Sequence, residues 1–132
     1  RLQRLLKKTI VFITHDFDEA LRLADRIAIM KDGRIEQCDT PNQIVLHPAT
    51  EYVAKFTAEI DRARVVRAGS LARPLGDAPE GEAIAANRTI HDLARHLVAD
   101  RREVIPMADE EGKIIGGMNR QEALDVLLGD AK

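Results

Sequence analysis

A chain of 132 residues has room for one ordinary domain or two small ones, and its formal net charge of -2 argues against a general nucleic-acid binder. Aromatic residues are only 3% of the sequence, with no Trp, so cores must be built from Leu, Ile, Val and Ala, and a site that grips flat or cationic ligands by stacking is not expected. The single cysteine, Cys38, excludes an internal disulfide, suits a reducing compartment, and reads as a small apolar filler on a strand.

The first eight residues, Arg1-Leu2-Gln3-Arg4-Leu5-Leu6-Lys7-Lys8, have charges on both sides and read as the end of an amphipathic helix, with cations in the last turn where the helix dipole favours them. They lack the pattern of a signal segment, and no apolar run approaches the roughly 20 residues of a membrane span, so a cytoplasmic location is expected. Thr9-Ile10-Val11-Phe12-Ile13 is apolar on both faces, which predicts a strand buried between two layers of a parallel sheet. At its end stands His15, and Asp16 then opens a helix. Glu19 lies three residues on, a capping-box spacing, and Ala20, Leu23, Ala24 and Ile27 follow helical periodicity.

Residues 26–31 read as a strand, Asp32-Gly33 as a tight hairpin turn, and residues 34–38 as the returning partner. Thr40-Pro41-Asn42-Gln43 starts another helix, with Thr as cap and Pro in the first turn. His47-Pro48 ends it, and a short helix is predicted over residues 51–56. Signals weaken over 59–67, where Val65-Val66 can supply a strand, and residues 68–88 are rich in Gly, Ala and Pro, which predicts a connecting stretch.

Order returns at Thr89, which caps a helix with Ile90, Leu93, Ala94 and Leu97 on one face. Residues 103–108 read as a strand, 109–112 as a turn and 113–118 as a second strand. Asn119 caps a last helix, with Glu122 three on and Leu124, Leu127 and Leu128 on its face. His91 and His96 fall on different helix faces and read as solvated surface. No His, Cys or carboxylate grouping has metal-ligand spacing, so no metal site is expected.

The ordered series TIVFITHDFDEALRLADRIAIMKDGRIEQ, then TPNQIVLHPATEYVAKF, resembles the C-terminal end of an ATP-binding cassette (ABC) ATPase, above all those of importers of quaternary amines such as glycine betaine, proline betaine or choline. The resemblance covers about residues 1–57 and implies that His15 is the switch histidine, whose ring contacts the γ-phosphate of ATP. Such a role is physically sound, because phosphoryl transfer is catalysed largely by positioning and charge stabilisation, and the carboxyl end of a strand aims a donor well. On the residues alone, packing beside the Asp16 cap remains open as a reading of His15.

No G-x-x-x-x-G-K-[ST] loop, LSGGQ-type signature or Mg-binding strand end occurs in the sequence, elements which in that family lie upstream. The chain is therefore read as a C-terminal portion without ATPase activity of its own and without tight cofactor binding, ATP and Mg belonging to the intact subunit. The resemblance also implies a second copy of the subunit, transmembrane permease subunits and a substrate-binding protein as partners, no nucleic acid, and a peripheral position on the cytoplasmic face of the membrane. A strand at Thr9–Ile13 lacking its parallel neighbours is expected to seek intermolecular pairing.

Residues 64–130 resemble a cystathionine-β-synthase (CBS) motif, a βαββα regulatory unit that several such ATPases carry. In nucleotide-binding versions, positions matching Gly116, Asn119 and Glu122 touch the ligand. Here Asn replaces a hydroxyl residue, Glu replaces Asp, and Gly117 stands where a β-branched residue is usual. A helix cap accounts for Asn119 and Glu122 without any ligand. The expected fold is α/β: a C-terminal piece of a P-loop-type ATPase domain over 1–58, a connection and the start of a CBS-like unit over 59–88, and the main body of that single unit over 89–132, paired with a second motif to cover its apolar face. The alternative function is a non-catalytic module that senses an adenine nucleotide or ionic strength, or that dimerises.

Overall fold

The computed structural model describes residues 5–77 and 80–129. Predicted features at residues 1–4 of the leading helix end, at 78–79 of the connection and at 130–132 lie outside them. Over the described residues the fold is mixed α/β, with two sheets and two apolar clusters.

The first body is a hairpin under three short helices. Helix α1 (Phe17–Leu23) leads to strand β1 (Ile27–Lys31), which pairs antiparallel with β2 (Arg34–Asp39). The Asp32-Gly33 turn forms as predicted, with φ of 50° and 75°, the left-handed pair that a type I′ hairpin needs. Helices α2 (Pro41–Leu46) and α3 (Glu51–Thr57) follow, capped by the side chains of Thr40 and Thr50. Alternation along β1 turns Ile27 and Ile29 inward, where they meet Ala20, Ile44 and Val53. Phe17 sets its ring edge-on to Phe56 at 4.9 Å, and Tyr52 stacks on Phe56 at 6.1 Å, so most of the aromatic supply is spent in this core.

Helix α4 (Arg62–Val65) and a 3-10 turn (Ala68–Leu71) lead to β3 (Ala72–Arg73). Then come β4 (Ile84–Ala85), α5 (Ala94–Ala99), β5 (Val104–Ala108), β6 (Ile114–Asn119) and α6 (Arg120–Leu128). The sheet order is β3-β6-β5-β4, with β4 parallel to β5 and the other pairs antiparallel. From β4 onward the order is βαββα. Ile105, Met107 and Met118 from the strands, Ile90, Leu93 and Leu97 from the α5 segment, and Ala123 and Val126 from α6 close one core.

Several expectations are corrected. Residues 9–13 form neither helix nor strand, and Val11 and Ile13 are 87% and 99% exposed. A doubly buried strand needs hydrogen-bonding neighbours on both edges, and no described strand lies alongside to provide them. Val65 belongs to a helix, so the strand that opens the βαββα unit is Ile84–Ala85 and not Val65-Val66, still inside the stretch read as the connection and start of that unit. After Thr89 a hydrogen-bonded turn precedes the α-helix, which begins only at Ala94. Leu23 and Leu128 are exposed at 60% and 69%, each at the last turn of its helix, where the chain leaves the core. Cys38 is exposed on β2 rather than packed as filler.

Candidate functional site

His15 sits in the turn before α1, exposed, in an open depression that it shares with Asp16, Phe17, Phe56, Glu59 and Ile60. The backbone on both sides of it is pinned. Asp16 caps α1, its Oδ1 accepting from the Glu19 amide at 3.1 Å. The Thr14 hydroxyl accepts from the Asp16 amide at 3.0 Å and donates to Glu19 Oε2 at 3.1 Å. Spacing predicted that Glu19 would reach back to the Asp16 amide in a capping box. Instead Thr14 takes that amide in a two-residue hydroxyl turn, and Glu19 holds Thr14. Sequence reasoning missed Thr14, although a hydroxyl two residues before a cap is the available signal.

Phe17, next to the cap, anchors this turn in the first core through its contact with Phe56. The result is an imidazole on a braced backbone with its ring open to solvent. Among the described residues it has no hydrogen-bond partner, and it is able to donate to an anion in either charge state.

The three positions from the βαββα unit lie around the junction of β6 and α6: Gly116 within the strand, Asn119 at the helix cap and Glu122 in the first turn of the helix. Each has a structural task. Asn119 Oδ1 accepts from the Glu122 amide at 3.0 Å, the predicted cap. Glu122 pairs with Arg73 Nη2 at 3.2 Å, half-exposed. Gly116 lies against β3, where a Cβ would stand 2.5 Å from the Arg73 carbonyl oxygen. Beside them opens a cleft of about 510 Å³ that includes Ser70, Arg73, Glu122 and Asp125, with Leu46 and His47 from the first body on its other side.

A second polar cluster went unseen in the sequence. Asp100 accepts from Arg102 Nη2 at 2.6 Å, from its Nε at 3.1 Å and from its amide at 2.9 Å, and its Oδ2 lies 3.2 Å from His96 Nε2. The Arg102 guanidinium holds the Asp100 carboxyl well below the usual aspartate range, and the same pairing raises Arg102. Arg102 also donates to the carbonyls of Glu80 and Glu82, tying the segment before β4 to the end of α5. Among the described residues, no helix is long and apolar enough to cross a membrane.

No family model matches the chain. The trimethylamine N-oxide transport system ATP-binding protein of Ruegeria pomeroyi is 66% identical over 128 residues, which are 97% of this chain and 37% of that protein. Its counterpart in Pelagibacter ubique is 47% identical over 137 residues, covering 100% of the chain and 39% of that protein. The glycine betaine transport ATP-binding protein of Bacillus subtilis is 55% identical over 64 residues, 48% of the chain and 15% of the relative. The chain thus spans well under half the length of the curated relatives it matches. Among solved structures, the cystathionine β-synthase pair domain of a Shewanella oneidensis protein corresponds with a TM-score of 0.34 and 15% identity, over 99% of this chain and 60% of that one.

Proposed function

We propose that this chain, homologous along nearly its whole length to ATP-binding subunits of ABC importers, supplies such a subunit with its switch histidine and a regulatory unit. The observation that carries the reading is the 66% identity across 97% of the chain. Residues 1–58 are assigned to the ATPase, 59–88 to the connection and the start of a CBS-like regulatory motif, with Ile84–Ala85 as its first strand, and 89–132 to the body of that motif. The cargo class is a small methylated amine: two relatives that match nearly the whole chain carry trimethylamine N-oxide in their names, and others carry glycine betaine or carnitine.

In the intact subunit, ATP with Mg²⁺ is held by segments other than these, and the metal neutralises phosphate charge there. This chain's part is to present the His15 ring as a hydrogen-bond donor to a γ-phosphate oxygen. A braced donor needs no reorganisation as charge develops, which is what makes such groups effective. The bracing by Thr14, Asp16 and Glu19, with the ring left open, supports that role. Partners are a second copy of the subunit, the transmembrane permease and a substrate-binding protein, with the assembly on the cytoplasmic face of the membrane.

The test is Mg-ATP turnover by the intact subunit with and without His15→Ala. A loss of roughly 10² to 10³ in kcat is expected for removal of one preorganised donor. Unchanged turnover would remove His15 from the mechanism, and hydrolysis by the chain alone would refute its dependence on other segments.

A second reading concerns the cleft at the β6–α6 junction. The Arg73–Glu122 pair at its edge is solvent-accessible and so weakens as salt rises, which favours a module that responds to ionic strength or to an anionic nucleotide near Gly116, Asn119 and Glu122. Calorimetric titration with ATP, AMP and cyclic dinucleotides tests it. Binding lost in Glu122→Ala supports a ligand there, and no heat with any of them leaves the salt response as the surviving form.

A further inference from the structure

Two adjacent side chains of α2, Ile44 and Val45, are both fully buried, yet they enter different cores. Ile44 packs into the cluster beneath the β1–β2 hairpin, and Val45 into the cluster of the βαββα unit. Leu21 of α1 lies against both. At the start of α2 the Asn42 side-chain oxygen accepts from the Arg67 amide at 3.0 Å, fixing the helix to the segment that enters the second unit. On the other flank, Ile60 lines the depression that holds His15, and three residues later Ala63 is buried in the second core.

Close-packed interiors do not deform continuously, and a helix shared by two cores cannot shift in one without disturbing the other. We infer that α2 is a coupling element: it joins the C-terminal unit and the His15 turn into one cooperative body, so that a change of state in the βαββα unit alters the pose of His15. The physical content is a coupling free energy between two places carried by packed elements. Its regulatory meaning rests on the role proposed above for His15, whereas the coupling itself does not.

Amide hydrogen exchange on the whole chain tests it without any nucleotide. Leu97→Ala and the milder Ile105→Val each loosen the second core at a residue that is fully buried. If the cores open together, the slowest amides of the β1–β2 hairpin lose protection by the same factor as those of β5–β6. That factor is on the order of a hundredfold for Leu97→Ala and about fivefold for Ile105→Val. Should Leu97→Ala fail to fold, Ile105→Val still gives the answer. Protection lost in β5–β6 with the hairpin unchanged would overturn the inference. Because no ATP enters the measurement, that result would leave the role of His15 standing, and an inert His15 would leave the coupling standing.

Discussion

Gly116 and Gly117 are neighbours on β6, and the structure assigns them unequal tolerance. A Cβ at Gly116 would stand 2.5 Å from the Arg73 carbonyl oxygen and 3.1 Å from its carbon, both backbone atoms. Relief requires β3 to move away from β6 and weakens the Ala72–Met118 and Arg73–Gly117 pairing. Overpacking costs about 1–3 kcal/mol, and two weakened ladder bonds about 1 kcal/mol each. Against that, replacing Gly by Ala lowers the entropy of the unfolded chain by about 0.4–1 kcal/mol. Gly116→Ala should therefore destabilise by about 2–4 kcal/mol. At Gly117 the obstructing atoms are side-chain ends, Val104 Cγ1 at 2.5 Å and Leu75 Cδ1 at 2.6 Å, and Leu75 is only half-buried. Without the ladder term, Gly117→Ala should cost about 0.5–2 kcal/mol. Adding Leu75→Ala should recover part of the cost at Gly117 and none at Gly116. Urea titrations of the three single and two double variants measure this as midpoint shifts at constant slope. Equal costs for the two glycines, or equal rescue by Leu75→Ala, would refute the reasoning.

Asp100→Asn should cost about 1–3 kcal/mol at pH 7, because it removes the charged acceptor of Arg102. Since pairing lowers the folded pKa of Asp100 below its ordinary 3.8, that stability is present above this value and is lost as pH falls below it, so wild type and variant should converge in acid unfolding monitored by circular dichroism. Gly33→Val should destabilise the hairpin by about 1–2 kcal/mol, since φ is +75° there; thermal melting reads it, and an unchanged midpoint would contradict the turn assignment. Asp16→Ala should cost about 1 kcal/mol through the lost cap, with faster exchange of the Glu19 amide as its local signature.

Local chemistry was legible in the sequence where a residue and its partner are close along the chain. Asp32-Gly33, the caps at Asp16, Thr40 and Asn119, and the apolar face Ile90, Leu93 and Leu97 all depend on neighbours within a turn or two, and they stand where spacing put them. Thr9–Ile13 failed because strand formation needs a distant partner, which periodicity cannot supply. Ile84–Ala85 escaped notice since a two-residue strand among Gly and Pro carries no alternation, and only its parallel pairing with Met107 and Ala108 defines it. At the candidate site, His15 was singled out by the family resemblance of the series around it, but the Thr14–Glu19 bond was not foreseen, because a side chain can reach several acceptors and only the folded turn chooses. Gly117, a departure from the usual CBS pattern, becomes intelligible once Leu75 and Val104 are seen to occupy the space.

The most direct measurement is the ring nitrogen spectrum of His15 in the intact subunit, labelled with ¹⁵N-histidine and assigned by His15→Gln. A saturating non-hydrolysable ATP analogue with Mg²⁺ should shift the His15 ring resonances, while Mg-ADP, lacking the γ-phosphate, should leave them where they stand without nucleotide. Identical ring spectra in the two nucleotide states would contradict a γ-phosphate contact.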